Sequence, residues 1–182
     1  NSGPVFGDLL ITEVHYNPSE VPLEEQANIT KEELEFIEIY NASSTTIDLG
    51  YWTTDGIGFE FAAGTTIESQ EAMVLVVFNP VLEPGKAAAF RNIFAIDSSV
   101  QLLGAATGQL NNAGELVELL KPEDPIFLTT GQVLVDAVFY DELAPWPTDA
   151  DGAGASLTRT AQTVFAPFAL SWIAATPSPG HV

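Results

Sequence analysis

Four acids stand singly inside otherwise apolar, strand-like rows, and they are the residues of this chain best placed to do chemistry. Glu13 follows Leu9 and Ile11, and Glu38 lies between Phe36 and Tyr40. Glu118 lies between Leu116 and Leu120, and Asp136 between Leu134 and Val138. A carboxylate in such a row needs a cation, a shared proton or hydrogen-bond donors, unless it reaches the wet margin of a sheet. Convergence of these acids would build either a cation site or an acid–base pair. With so few Lys and Arg in the chain, calcium is the cation such a cluster would take, and no cofactor is otherwise required.

A second acidic candidate is the loop Asp149-Ala150-Asp151-Gly152-Ala153-Gly154. It opens like a calcium loop, with acids at the first and third places and Gly at the sixth. Ala153 and Thr160 then stand where further ligands belong, so it fails as an EF-hand and reads better as a glycine turn. Glu13, Glu38, Asp136, Asp149 and Asp151 are therefore the candidate metal ligands. The two histidines, His15 and His181, show no metal-ligand spacing to one another. A Ser–His–Asp set drawn through His15 carries no specific signal, and no glycine motif for phosphate is present. Paired carboxylates for glycoside cleavage stay open, although no spacing selects a pair. Trp52, Trp146 and Trp172 are candidate binding aromatics, with core anchoring as the alternative.

The elements that must position these groups are mostly short strands. Leu9–Tyr16 reads as the first, with Leu10, Val14 and Tyr16 on one face and Leu9, Ile11, Glu13 and His15 on the other. Residues 18–34 form an acidic insertion in which Thr30-x-x-Glu33 is a capping box for a helical turn over Lys31–Leu34. Phe36–Asn41 carries bulky residues on both faces, as a central, doubly covered strand does. Further strands are expected at Thr45–Leu49, Tyr51–Thr53, Phe59–Ala62, Thr65–Ile67, Ala72–Phe78, Val100–Leu103, Gly108–Leu110, Leu116–Leu120, Val133–Tyr140 and Ser156–Arg159. Phe127–Thr130 is ambiguous. A single helix is expected over Pro84–Phe94, with Pro84 in its first turn and Lys86 and Arg91 upon it. Strands of this length between turn signals, with one inserted helix, predict an all-β, antiparallel sandwich. The domain is drawn over residues 9–176, after a lead-in at 1–8 and before a linker-like tail at 177–182.

Composition narrows the partners. The 182 residues are 46% hydrophobic, enough for a core, and carry five Lys and Arg against twenty-five Asp and Glu, a net charge of −20. Such a polyanion repels phosphate backbones and anionic membranes, and favours cationic partners. No apolar run is long enough to span a membrane, and the absence of cysteine excludes disulfide and thiol chemistry. The start at Asn1, without Met or an apolar leader, reads as a mature or excised piece of a longer protein.

An ordered set of short stretches resembles the lamin tail domain family, and its bacterial members in particular. The set runs Ile11-Thr12-Glu13-Val14-His15-Tyr16-Asn17-Pro18, Glu35-Phe36-Ile37-Glu38-Ile39-Tyr40-Asn41, Asp48-Leu49 with Trp52, and Phe61-Ala62-Ala63-Gly64-Thr65-Thr66-Ile67. It continues with Leu110–Glu115, Val135–Tyr140, Trp146-Pro147, Asp151–Leu157, Ser171-Trp172 and Pro177–Gly180. The resemblance implies an immunoglobulin-like fold and a non-enzymatic accessory module of a larger secreted or cell-surface bacterial protein. Such a module contacts a protein, cell-surface or polysaccharide partner. It supplies no catalytic residues. The animal members end nuclear lamins and touch chromatin; this chain departs from them in its acidity, its lack of a heptad rod and its insertions at 18–34 and 79–99. Two rival functions follow from the residues themselves. One is a calcium-stabilised adhesion or carbohydrate-binding module. The other is a small hydrolase with two of Glu13, Glu38, Glu118 and Asp136 in a cleft.

Overall fold

The computed structural model describes residues 7–124 and 131–182. Phe127–Thr130 lies outside the described residues. Strands β1 (Leu9–His15), β2 (Phe36–Asn41), β3 (Ile47–Asp48), β4 (Thr53–Asp55), β5 (Phe59–Glu60), β6 (Thr66–Ile67) and β7 (Ala72–Val76) come first. After helix α1 (Pro84–Phe94) follow β8 (Gln101–Gly104), β9 (Glu115–Pro122), β10 (Gln132–Tyr140), β11 (Ser156–Arg159) and β12 (Trp172–Ala175). A six-stranded sheet runs β12-β11-β1-β2-β7-β8, a four-stranded sheet runs β10-β9-β4-β5, and β3 pairs with β6. The two larger sheets close on one core. Ile11, Ile37, Ile39, Met73 and Leu75 from the first meet Val117, Leu119, Val138 and Tyr140 from the second. That is a β-sandwich, as expected.

Among the described residues every strand ladder is antiparallel except β7–β8, which is parallel. The antiparallel expectation therefore fails at one edge, for a topological reason: α1 carries the chain between those two strands. The helix has the predicted bounds, with Pro84 at its first turn and Ala95 closing it in the left-handed conformation. Phe90 and Ala89 bury its inner face against Phe36, Val74, Val76 and Phe78. Phe90 meets Phe36, Phe78 and Phe94 edge-on at centroid distances of 5.9, 5.9 and 4.8 Å. The six-stranded sheet is thus covered on both faces near β2, whose six residues are all buried. The acidic insertion joins this layer: Glu32–Leu34 forms a 3-10 turn, and Lys86 of α1 bonds Glu33 at 2.6 Å as well as Glu83.

Two expectations about β1 and residues 108–110 change. β1 contains a bulge at Thr12: Ile11 pairs with Ile39, and Glu13, two residues on, pairs with Glu38. One extra residue flips the side-chain phase. Leu9, Ile11, Val14 and Tyr16 all enter the inter-sheet core, whereas strict alternation put them on two faces. Residues 108–110 form no strand; Leu110 is held in the core by its N–H, which donates to Glu35 Oε2 at 2.8 Å. The strand β12 starts at the end of the apolar stretch 164–173 and runs two residues past it.

The aromatic layer under α1 sets the first test. Replacing Phe90 by Ala is expected to cost about 3–5 kcal/mol in chemical denaturation. The same truncation at Leu170, 91% exposed, is expected to change stability by under ~0.5 kcal/mol.

Candidate functional site

The bulge that sends Val14 and Tyr16 inward sends Glu13 and His15 to the opposite, outer face. There Glu13 stands directly across from Glu38, the register partner on β2. Both are 1% exposed. Each carboxyl is met by one side-chain hydroxyl and one backbone amide. Ser156 of β11 donates its hydroxyl to Glu13 Oε1, and Ser178 N–H donates to the same oxygen at 3.0 Å. Thr12 Oγ1, the bulge residue itself, donates to Glu38 Oε1 at 2.5 Å. Gly180 N–H donates to Glu38 Oε2 at 2.6 Å.

The tail that read as a linker is therefore hydrogen-bonded across the outer face of the sheet. Gly180 is required at its position for two reasons. Its φ is +93°, and a Cβ there would lie 2.7 Å from Val100 Cγ2. Ser156, Ser178 and Gly180 escaped sequence reasoning, since each partners an acid over 140 residues away. The sole local trace was a glycine in a Pro-Ser-Pro-Gly turn.

Burial governs the electrostatics. It pushes the Glu13 carboxyl up to about 7; the Ser156 bond opposes this, and the neighbouring Glu38 adds to it. Burial raises Glu38 as well, against the bonds from Thr12 and Gly180. Glu35, holding Leu110, is pushed up to about 7 by the same cause. The pair opens on a cavity of about 390 Å³ lined by Thr12, Glu13, Glu38, Arg159 and His181, together with Thr160–Thr163. Two register-paired carboxyls, both raised by burial and set beside a cavity, are acid–base capable in principle.

The other sequence candidates go elsewhere. Asp136 Oδ2 accepts from Arg159 Nη1 at 2.6 Å and from Ile11 N–H at 2.8 Å, while Arg159 Nη1 also donates to Ile11 O at 3.2 Å. This buried ion pair bridges β10 and β11, and so the two sheets. Arg159 was not singled out in the sequence, where it is one cation after a short Ser-Leu-Thr run. Burial raises the Asp136 carboxyl, against the pull of Arg159. Glu118 sits on the outer face of the second sheet, opposite Ala137 and Asp55. Asp149 is exposed, and Asp151 Oδ1 accepts from Asn17 Nδ2 at 2.6 Å, so their loop is a turn fastened to the end of β1. The four strand acids thus divide into one pair and two separated residues. Among the described residues, no three His, Asp or Glu side chains converge as a metal site would need.

Two of the three tryptophans are corrected from binding surface to core. Trp146 is 8% and Trp172 2% exposed, and Trp172 Nε1 donates to Ala166 O at 2.7 Å. A flat ring beside short strands has the most apolar area to bury, which decides the matter. Trp52 is half-buried and packs against the same core. His15 is 2% exposed, and neither ring nitrogen has a hydrogen-bond partner. Among the described residues no acid or hydroxyl bonds the imidazole, so they form no serine-type relay through it.

Taken together, these features define a two-sheet sandwich whose buried acids are bound by its own backbone and hydroxyls. Residues 4–142 match the Lamin Tail Domain family. The chain belongs to that family, one of non-enzymatic, immunoglobulin-like domains of a protein-interaction type. The stretches quoted beyond residue 142 lie outside the match. A solved DUF4876 family protein from Bacteroides thetaiotaomicron superposes with a TM-score of 0.48 at 14% identity, over 97% of this chain and 70% of that one. No curated protein matches. No helix among the described residues is long and apolar enough to cross a membrane.

Titration of the buried acids gives a signed prediction. A carboxyl raised from 4.5 to about 7 in the folded state stabilises the fold below 4.5 and loses that contribution as pH rises through 7. His15, lowered by burial to about 4, works oppositely, losing its contribution as pH falls from 6.5. Between pH 8 and 6.5 the carboxyls dominate. Stability is expected to rise by roughly 1–2 kcal/mol on acidification across that window, and by about half as much in Glu13→Gln. Denaturation midpoints at the two pH values check it. Gly180→Ala is expected to speed hydrogen exchange at the Ser178 amide by loosening the tail.

Proposed function

We propose that this chain is a non-enzymatic interaction module of a larger secreted or cell-surface bacterial protein, and that it binds a protein partner through the outer face of its four-stranded sheet. One observation carries the reading. On that face Leu116 stands opposite Phe139 and Leu120 opposite Leu134, with the acid pair Glu118 and Asp55 between the two apolar rows. Leu116, Leu134 and Phe139 are 44%, 52% and 57% exposed. Grouped apolar side chains left in water mark an interface. Like charges opposite one another disfavour the sheet unless a cation meets them. A segment alternating Lys or Arg with apolar residues satisfies both requirements, and the chain's net charge of −20 draws it in.

Selection of peptides from a random display library on the immobilised domain tests this. Enriched peptides are expected to be basic and apolar, and to bind the Leu116→Glu/Phe139→Glu double variant at least tenfold more weakly, with its melting temperature within a few degrees of wild type. Peptides indifferent to that variant would overturn the reading.

The cavity over Glu13 and Glu38 supports a second reading, a carboxylate-dependent hydrolase. The four donors already bound to the pair, and the family's non-enzymatic character, favour the first. Turnover of chromogenic glycosides by the wild type, abolished in both Glu13→Gln and Glu38→Gln, would establish the second. No turnover is the expected outcome.

A further inference from the structure

The layer above the outer face holds a second cavity, of about 200 Å³, distinct from the one over the acid pair. His15 lines it, with Pro18, Leu34, Ile93 and Phe94 as its apolar wall and the exposed Ser19, Glu20 and Thr176 around its opening. Its parts come from far along the chain: the end of β1, the acidic insertion, the last turn of α1, and the stretch before the tail.

The imidazole is what makes this more than a packing gap. It is nine-tenths buried and more, and among the described residues neither Nδ1 nor Nε2 has a partner within hydrogen-bond geometry; only the Leu34 backbone lies near enough to oppose the lowering that burial imposes on the ring. Its ring packs on Phe36 and Phe94 at centroid distances of 5.3 and 5.7 Å, in an aromatic setting that offers its nitrogens no hydrogen-bonding group. A buried polar group left unpaired costs free energy that a ligand recovers by pairing it. Burial keeps the ring neutral, with one N–H and one lone pair to offer.

We infer that this cavity is a binding site for a phenolic ring, with His15 pairing the hydroxyl. Size fits, since an apolar cavity of about 150 Å³ admits benzene. Phe94 offers an edge or face to a second ring. A charged ligand is disfavoured by the apolar wall, which gives no counter-charge to an ion, and an anion further by Glu20 at the opening. The phenol is either a free small molecule or a tyrosine side chain of a peptide, and the two are separable by experiment.

The chain's two histidines make the assay simple. Imidazole nitrogen resonances of the wild-type protein at neutral pH are followed while p-cresol, toluene or N-acetyl-tyrosinamide is added. Saturable movement of the His15 signals by p-cresol is expected, with His181, exposed in the tail, as the unmoved control. Toluene, which lacks the hydroxyl, is expected to bind at least tenfold more weakly, and His15→Phe to erase that preference. Binding of N-acetyl-tyrosinamide as well as p-cresol assigns the site to a peptide tyrosine; binding of p-cresol alone assigns it to a free phenol. Either His15 signals unmoved by p-cresol and N-acetyl-tyrosinamide alike, or toluene binding as tightly as p-cresol, would overturn the inference. Both readings come from the wild type, so they stand even where the variant folds poorly.

Discussion

One additional residue in one strand, Thr12 in β1, is the constraint from which most of this molecule follows. A strand shows alternate side chains to its two faces, and a single inserted residue exchanges those faces for everything after it. Before the bulge Leu9 and Ile11 point into the sandwich; after it Val14 and Tyr16 do. Without it, Glu13 and His15 would face the inter-sheet core and Val14 would leave it. The bulge also supplies Thr12's own hydroxyl to Glu38. Register, core and candidate site are therefore fixed by the same local irregularity.

A second consequence concerns Ile11. The β1–β11 ladder stops at Glu13 and Thr158, leaving the main-chain polar groups of Ile11 without a strand neighbour on that side. Buried amides and carbonyls must be paired. Asp136 takes the N–H and Arg159 serves the carbonyl, and their own contact at 2.6 Å completes the set. This ion pair stands in for a strand, which explains why charges are retained at a sheet junction where an apolar pair would pack as well. The tail performs the corresponding service over Glu13 and Glu38, with side chains and main chain exchanging roles. There the acids are the buried groups in need, and the amides of Ser178 and Gly180 answer them.

What the sequence revealed and concealed follows from the range of each interaction. The double-faced burial of Phe36–Asn41, the helix at Pro84–Phe94 and the strand at Ser156–Arg159 are local patterns, and their bounds agree with the structure. The single acids in apolar rows were visible too, but not their destinations. Glu38 meets Gly180, and Asp136 meets Arg159, through contacts that no periodicity records. Leu110 shows the same limit from the other side: an apolar residue drawn into the core by one bond to Glu35 leaves the trace of a strand without being one. A bulge is equally silent, since Thr12 is an ordinary strand residue until its neighbours on β2 are known.

The distribution of cations completes the account of what such a domain can bind. Lys86 ties α1 to the acidic insertion, Arg91 donates to the carbonyls of Asp97 and Val100, and Arg159 is buried between the sheets. Three of the five positive charges are thus engaged by the fold itself, and the field presented outward is that of the acids. An apolar sheet face within a negative field is selective in a way neither property is alone. At the proposed interface, burial of Leu116, Leu134 and Phe139 would reward any apolar partner, while the net charge would favour the approach of basic ones and oppose that of acidic ones. For the interface proposed above, the −20 charge would filter which partners reach the sheet, and the side chains of β9 and β10 would determine which of those stay.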